Sequence, residues 1–351
     1  MKVINRTVLI LSFVSLFADV ASEMLYPVIP VYLKEIGFSV FSAVSKPMLA
    51  AFAYPLWIFF SRTVDRLGKG VRTAARDALL SQNATPETKA RVFGFHRSMD
   101  TLGAAIGPAL ALLLFLFFPK NYVLVFLLAG IPGLVSVALI FFLKEERKPS
   151  STLGKGNFFS FFRYWKIASP QYKRLVIGLL LLALFNSSDL FLLLKTKEVT
   201  GDDRLAIGAY ILYNLVFAMA AYPLGALADK IGIRKVFMGG LVLFALVYFL
   251  FGSTQLTAIL FAAFFIYGIY AAATEGITKA WISNLSHGKN TATAIGFYTS
   301  CESICTLLAS IITGWLWEDF NSSIAFYITG AVAVIVFIYF LVFGNIKAVN
   351  N

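Results

Sequence analysis

The chain has 351 residues, of which 59% are hydrophobic and only 14% charged. Soluble globular chains carry about 25% charged residues, so this one lacks the polar surface to stay in water. Its formal net charge of +12 would suit a nucleic-acid partner, but the basic residues gather at the ends of apolar runs and argue against one.

Apolar runs near the ~20 residues that cross a hydrocarbon core as a helix recur along the whole length. Lipid offers no partner for a free backbone N–H or C=O, and runs of this length form helices rather than the ~10-residue strands of a barrel. The fold class is therefore an all-α membrane protein, with the lipid bilayer as its surroundings.

The first span is expected at 7–33. Met1 to Arg6 are weakly basic, Asp19 and Glu23 interrupt the apolar run, and no small-x-small cleavage site follows, which predicts an uncleaved helix rather than a signal peptide. The apolar piece 41–54 reaches only ~21 Å as a helix, short of the ~30 Å core. It is expected to be a part-span helix, or one continuous with the span at 55–81 and bent at Pro55.

Within 55–81, the segment Ser61 to Asp77 is the most unusual in the chain. At about 100° per residue, Arg62, Asp65, Arg66, Lys69, Arg72, Arg76 and Asp77 share an arc of roughly 140°. Charge against lipid is costly, so such a face meets a water-filled cavity or protein. The alternative is a helix that leaves the membrane there, its Arg and Lys snorkelling. Arg62, Asp65, Arg66, Lys69 and Arg72 are the candidates for a cavity wall, and their basic excess favours an anionic or zwitterionic ligand.

The span at 91–118 opens Phe93-Gly94-Phe95-His96-Arg97-Ser98-Met99-Asp100. His96 and Asp100 stand i,i+4 and can pair or titrate together, or they mark a helix start with a dipole-friendly carboxylate. Gly103, Gly107 and Pro108 then form a small-x-x-x-small packing face with a kink. A span at 121–143 follows, and the polar, basic stretch 144–170 reads as a linker. The domains are an N-terminal bundle over 1–143, a cytoplasmic linker over 144–170 and a C-terminal six-helix bundle over 171–351.

In the second half, spans are expected at 172–197, 204–229, 235–252, 256–285, 290–316 and 323–345. Glu275 and Lys279 are intramembrane charges that either serve a site or neutralise each other. Cys301 and Cys305 stand i,i+4 in one apolar helix, a spacing of neither a metal nor a redox motif, so no metal is expected. Lys144, Arg147, Lys148, Lys155, Arg163, Lys166, Lys173 and Arg174 crowd the linker and its exit, and Lys230, Arg234 and Lys235 form a second cluster. By the positive-inside rule both termini and the linker are expected on the cytoplasmic side of the inner membrane.

The halves repeat. Asn121, Phe126 and Gly130 recur as Asn321, Phe326 and Gly330, and Gly94-Phe95, Ser98 and Asp100 recur as Gly296-Phe297, Ser300 and Glu302. Gly70, Ala74 and Leu79 recur as Gly276, Ala280 and Leu285, and Ser22-Glu23 as Ser188-Asp189. Matches in the same order suggest duplication, common in transporters with a site between paired bundles. Between Glu23 and Gly70 the first half is short by about forty residues, as if its second span and half of its third were missing.

The run from Gly225 to Lys235, with Gly225, Asp229, Lys230, Gly232, Arg234 and Lys235 at its fixed positions, resembles the gating-loop signature of the major facilitator superfamily. Gly103-Ala104-Ala105-Ile106-Gly107-Pro108 resembles the core of that superfamily's antiporter motif, without its later glycines. Together with Asp65 to Leu79 and Phe93 to Asp100, these runs make the chain similar to a little-characterised prokaryotic subgroup of such permeases. The resemblance implies two pseudo-symmetric helical bundles of the major facilitator type, the first incomplete, around a central cavity opened by alternating access. Arg62 would match the fourth-span arginine linked to coupling. The first-half copy of the Gly-x-x-x-Asp loop is missing, and Ser61-x-x-x-Asp65-Arg66-x-Gly68-Lys69 imitates it only in part.

The functional expectation is a secondary transporter of a small solute, anionic or zwitterionic, coupled to protons with no other cofactor, and exporting rather than importing. Its cavity or coupling residues are expected among Asp19, Glu23, Arg62, Asp65, Arg66, Lys69, Arg72, His96, Asp100, Glu275, Lys279 and Glu302. The alternatives are a non-transporting deletion remnant or a membrane-embedded enzyme, but no nucleophile–base pair, metal cluster or phosphate loop supports the latter. An ATP-driven pump would need a Gly-x-x-x-x-Gly-Lys-Ser/Thr loop, which the chain does not contain. Oligomeric state has no signature here.

Overall fold

The computed structural model describes residues 3–24, 73, 75–118, 121–143, 160–286 and 290–343. The part-span piece 41–54, most of the span 55–81 and most of the linker lie outside the described residues. What is described is helical, with no strand. The first half contributes α1 (Arg6–Glu23), α2 (75–82), α3 (Lys89–Phe117) and α4 (Tyr122–Ile140). After α5 (Ser160–Ile167), the second half contributes α6 (Pro170–Ala183), α7 (Leu190–Thr200), α8 (Asp203–Ile231), α9 (Ile233–Ser253), α10 (Thr257–Leu285), α11 (Thr291–Asp319) and α12 (Ser322–Phe343). Among the described residues, α3 and α8 to α12 are six helices long and apolar enough to cross a membrane.

Local chemistry sets the starts. Asn5, Ser169 and Asp202 each lend a side-chain oxygen to an amide of the first turn that has no partner within the helix. The repeat between the halves is visible here as one cap made twice. Asn121 Oδ1 accepts from Leu124 N at 3.1 Å, and Asn321 Oδ1 accepts from Ile324 N at 2.9 Å.

One sequence reading needs correction. The span expected at 172–197 is not one helix: α6 stops after 14 residues and α7 runs for 11, separated by non-helical backbone at 184–189. The stretch Asn186-Ser187-Ser188-Asp189 sets four polar residues in a row where a continuous span needs apolar ones. The stretch read as a linker carries α5, whose Trp165 ring stacks on Phe297 of α11 at 5.5 Å and whose Tyr164 meets Tyr172 edge-on at 5.2 Å.

The halves pack as two groups joined along one seam. In the first, α3 and α4 lie against α1; in the second, α9 packs against α10 and α12, and α8 against α10. The second-half core is aromatic: Phe244, Tyr248, Phe251, Phe264, Phe326 and Phe340 are all fully buried. The seam is α3 against α8 and α10. It is closest where glycines remove side chains: a Cβ on Gly94 would lie 2.5 Å from the Ala221 carbonyl oxygen, and one on Gly225 would run into the Ala90 carbonyl.

Candidate functional site

At the seam a polar cavity of about 270 Å³ opens between the halves. α1 supplies Asp19 and Glu23, one turn apart; α2 supplies Arg76; α3 supplies Arg97, Asp100 and Thr101. From the second half come Asp189 at the break between α6 and α7, Tyr210, Tyr213 and Asn214 on α8, and Glu275 and Lys279 on α10. Among the described lining residues, five carboxylates face three cations. A separate hollow lined by Ile4, Phe95, Leu102, Met219 and Tyr222 holds no Asp, Glu, Lys or Arg and offers no comparable chemistry.

Buried charges persist in a protein only when paired and hydrogen-bonded, and Arg76, Asp77, Arg97, Asp100, Glu275 and Lys279 form one connected set. Arg97 pairs with Asp100 on its own helix at 2.6 Å and with Glu275 across the seam. Its guanidinium also sits 5.2 Å from the centroid of the Phe217 ring, a cation–π contact. Asp77, fully buried, takes Arg76 Nε at 3.0 Å and Lys279 Nζ at 2.8 Å, the second of these also across the seam. Arg76 reaches Asp100 at 3.8 Å and donates to Ser15 Oγ at 3.0 Å. Glu23 accepts from the Tyr210 hydroxyl at 3.1 Å, a third bridge between the halves.

Two pairings that local spacing allowed as alternatives are not formed. Glu275 and Lys279 do not neutralise each other; they reach Arg97 and Asp77 of the other half. His96 does not pair with Asp100. Its Nε2 meets Ser15 Oγ at 2.9 Å in a buried contact, while Asp100 goes to the two arginines. Glu302 accepts from Tyr298 on its own helix at 2.6 Å and is not among the lining residues. Arg62, Asp65, Arg66, Lys69 and Arg72 lie outside the described residues. Sequence reasoning put Arg76 and Asp77 on the charged arc without choosing them for the cavity wall, and it passed over Arg97, Asp189, Tyr210 and Tyr213 as site residues. One signal was present: the Ser22-Glu23 and Ser188-Asp189 repeat places both of its carboxylates in this cavity.

Toward one end of the bundle the seam is shut. Asp229, near the end of α8, accepts the Ala90 and Arg91 amides at 3.1 and 3.0 Å, with the Arg91 guanidinium 3.7 Å away. These amides open α3 and have no partner within it, so the carboxylate caps a helix of the other half and meets the positive end of its dipole. Lys89 Nζ donates to the Ser283 carbonyl at 3.0 Å, and the Ser81 and Ser283 hydroxyls meet at 2.5 Å. Gly232 turns the chain between α8 and α9 at φ +103°, in the left-handed region that favours glycine. Arg234 then donates to the Phe340 and Leu341 carbonyls at 2.7 and 3.0 Å, closing the end of α12, while Lys230 and Lys235 are exposed. Gly103 and Gly107 sit against the α1 backbone, at Leu16 to Val20 and Val20 to Met24, and Pro108 lies just beyond.

The sequence profile of the Major Facilitator Superfamily matches residues 36–212 and 201–349. An uncharacterized MFS-type transporter of Methanocaldococcus jannaschii is 28% identical over 368 aligned positions, covering 90% of this chain and 89% of its own. An uncharacterized MFS-type transporter of Bacillus subtilis, YfkF, is 24% identical over 78% of this chain and 69% of its own. Among solved structures, the human organic anion transporter MFSD10 superposes with a TM-score of 0.69 at 15% identity, covering 94% of this chain and 81% of that one. The Escherichia coli fucose:proton symporter FucP gives 0.62 at 12% identity, covering 95% and 83%.

Proposed function

The chain belongs to the major facilitator superfamily, and from that premise we propose that it carries a small zwitterionic or anionic solute across the inner membrane by alternating access, coupled to protons. The observation that carries this reading is a cavity between the halves whose charges pair across the seam, Arg97 with Glu275 and Lys279 with Asp77. A solute bearing a carboxylate can replace Glu275 on Arg97, and an ammonium group on the same solute can meet Asp19 or Glu23. Carboxylates released from their cations in such an exchange become sites for a proton. Of the two structural neighbours, FucP is a proton symporter and MFSD10 an organic anion transporter, which suits both parts of the reading. Export is the proposed direction, on the antiporter-like segment from Gly103 to Pro108.

Flux into and out of proteoliposomes tests it. A panel of zwitterionic, anionic, cationic and neutral solutes is offered with and without an imposed pH gradient. The expected result is gradient-dependent movement of a zwitterionic or anionic solute that Glu275→Gln abolishes. Movement indifferent to the gradient, or a fully active Glu275→Gln variant, overturns the coupling.

A further inference from the structure

We propose that the break between α6 and α7 is a binding site for a desolvated monovalent cation of sodium's size, built from Asp189 and the neutral oxygens around it. The first observation is the backbone. The amides of Phe185 and Asn186 still turn back to Leu182, and regular pairing resumes only with Phe191 on Ser188 and Leu193 on Asp189. A helix interrupted within its span frees carbonyl oxygens, and such half-helix ends hold small cations in lipid-embedded proteins.

The second observation is a set of buried oxygens that stand near one another without a close hydrogen bond. Among the described residues, Ser187 Oγ, Asn186 Oδ1 and the Tyr248 hydroxyl each lack a hydrogen-bond partner, with Ser187 4% and Tyr248 0% exposed. The Ser187 and Tyr248 hydroxyls lie together, and Asn186 precedes Ser187 in the chain. Tyr248 lies beside Ser187 and Tyr267 and within reach of the Asp189 charge. Tyr267 donates to Asp189 Oδ1 at 2.7 Å, which leaves its own lone pairs facing the group. The Asn186 amide nitrogen is 3.5 Å from the Tyr270 hydroxyl, so the carbonyl end of that side chain is the end left over. Buried polar atoms without partners are rare and costly. A carboxylate among hydroxyl and amide oxygens is a hard-oxygen donor set with a single formal charge, which suits a monovalent cation better than a divalent one.

The neighbouring charges permit it. Arg97 and Glu275 are charged groups close to Asp189, and Arg97 is already shared between Glu275 and Asp100. Within that set no formal charge is therefore left over to serve Asp189 as counter-ion. Asp189 lines the same cavity as the proposed proton step, but cation binding there does not depend on that step.

Thermal unfolding of the purified full chain in detergent at constant ionic strength tests the site, with choline exchanged for sodium, lithium or potassium. Saturable stabilisation by sodium over potassium and choline is expected. Tyr248→Phe and Ser187→Ala remove hydroxyls that lie beside each other, so a purely structural role predicts a stability change of the same size in sodium and in choline. As cation ligands, each should weaken the apparent sodium affinity by about tenfold, the worth of one oxygen contact to a charge, and Asp189→Asn should abolish it. Equal stabilisation by all four cations, or none by sodium, overturns the proposal. So does a sodium response that Tyr248→Phe and Ser187→Ala leave intact. Because the readout is binding, loss of the site and loss of the transport reading are told apart: solute flux with no sodium stabilisation refutes only the former.

Discussion

Replacing Asp229 by Ala should release the closed end of the seam. Its side chain is only 3% exposed and accepts two amides of α3, at 3.1 and 3.0 Å, and those contacts exist only while the halves are together at that end. When they part, water can take over both amides, so the stabilisation belongs to the closed state alone. Replacing a capping carboxylate by alanine costs about 0.5–2 kcal/mol, and a hydrogen bond to a charged group is worth about 1.5–3 kcal/mol net of water. A net loss of about 2–3 kcal/mol is reasonable, which multiplies the open fraction about 30- to 150-fold.

Ser283 reads that fraction. It is 1% exposed, buried against Ser81 beside the Lys89 contact. With Cys301 and Cys305 changed to Ser, the labelling rate of a Ser283→Cys variant by a water-soluble maleimide is proportional to the open fraction. Asp229→Ala should raise that rate by the same 30- to 150-fold, and Asp229→Asn, which keeps an acceptor but loses the charge, by less. Asp203→Ala is the control, since Asp203 pairs with Lys197 at an exposed site at the start of α8. A labelling rate unchanged by Asp229→Ala, or raised equally by Asp203→Ala, refutes the argument that this carboxylate holds the end shut.

Gly94→Ala places a methyl 2.5 Å from the Ala221 carbonyl oxygen, a backbone atom that cannot swing aside. It should cost about 1–3 kcal/mol of stability as overpacking does, measured by thermal unfolding in detergent. Arg97→Ala takes from Glu275 its partner across the seam and from Asp100 its closer arginine and should destabilise by about 3–5 kcal/mol. The Arg97→Ala and Glu275→Ala double-mutant cycle should show a coupling well above 0.5 kcal/mol, and strict additivity would dissolve the pair. Lys155→Cys should resist a membrane-impermeant thiol reagent applied outside intact cells, as the basic linker requires. Ready labelling would reverse the orientation.

The crossings were the most legible feature because hydrophobicity alone carries them. Asp203–Ile231 was expected at 204–229 and Thr257–Leu285 at 256–285. A run of apolar residues long enough to cross lipid has no soluble alternative, so composition and length suffice. The break at 184–189 was missed although Asn186-Ser187-Ser188-Asp189 was in plain view. Averaging over a window hides four polar residues flanked by leucines, and the compensation for such a break comes from neighbours distant in sequence. Tyr267, for example, stands 78 positions from the Asp189 it holds.

The site was legible as a list of charges but not as a set of pairs. An i,i+4 pair on one helix is worth only about 0.2–0.5 kcal/mol, so it yields wherever a partner on another helix permits fuller burial. Glu275 and Lys279 both do this, each exchanging its neighbour for a group in the other half. That exchange bears on the proposed cycle. Pairs made within one helix would survive a rocking motion and oppose nothing. Pairs made across the seam must break when the halves separate there, leaving Arg97, Glu275, Lys279 and Asp77 in need of partners. A solute with both signs of charge can supply them in the parted state, and a neutral one cannot. Differential affinity for two states is what allows a ligand to shift an equilibrium. A zwitterion would therefore ease the motion that carries it, while an empty cavity stays latched.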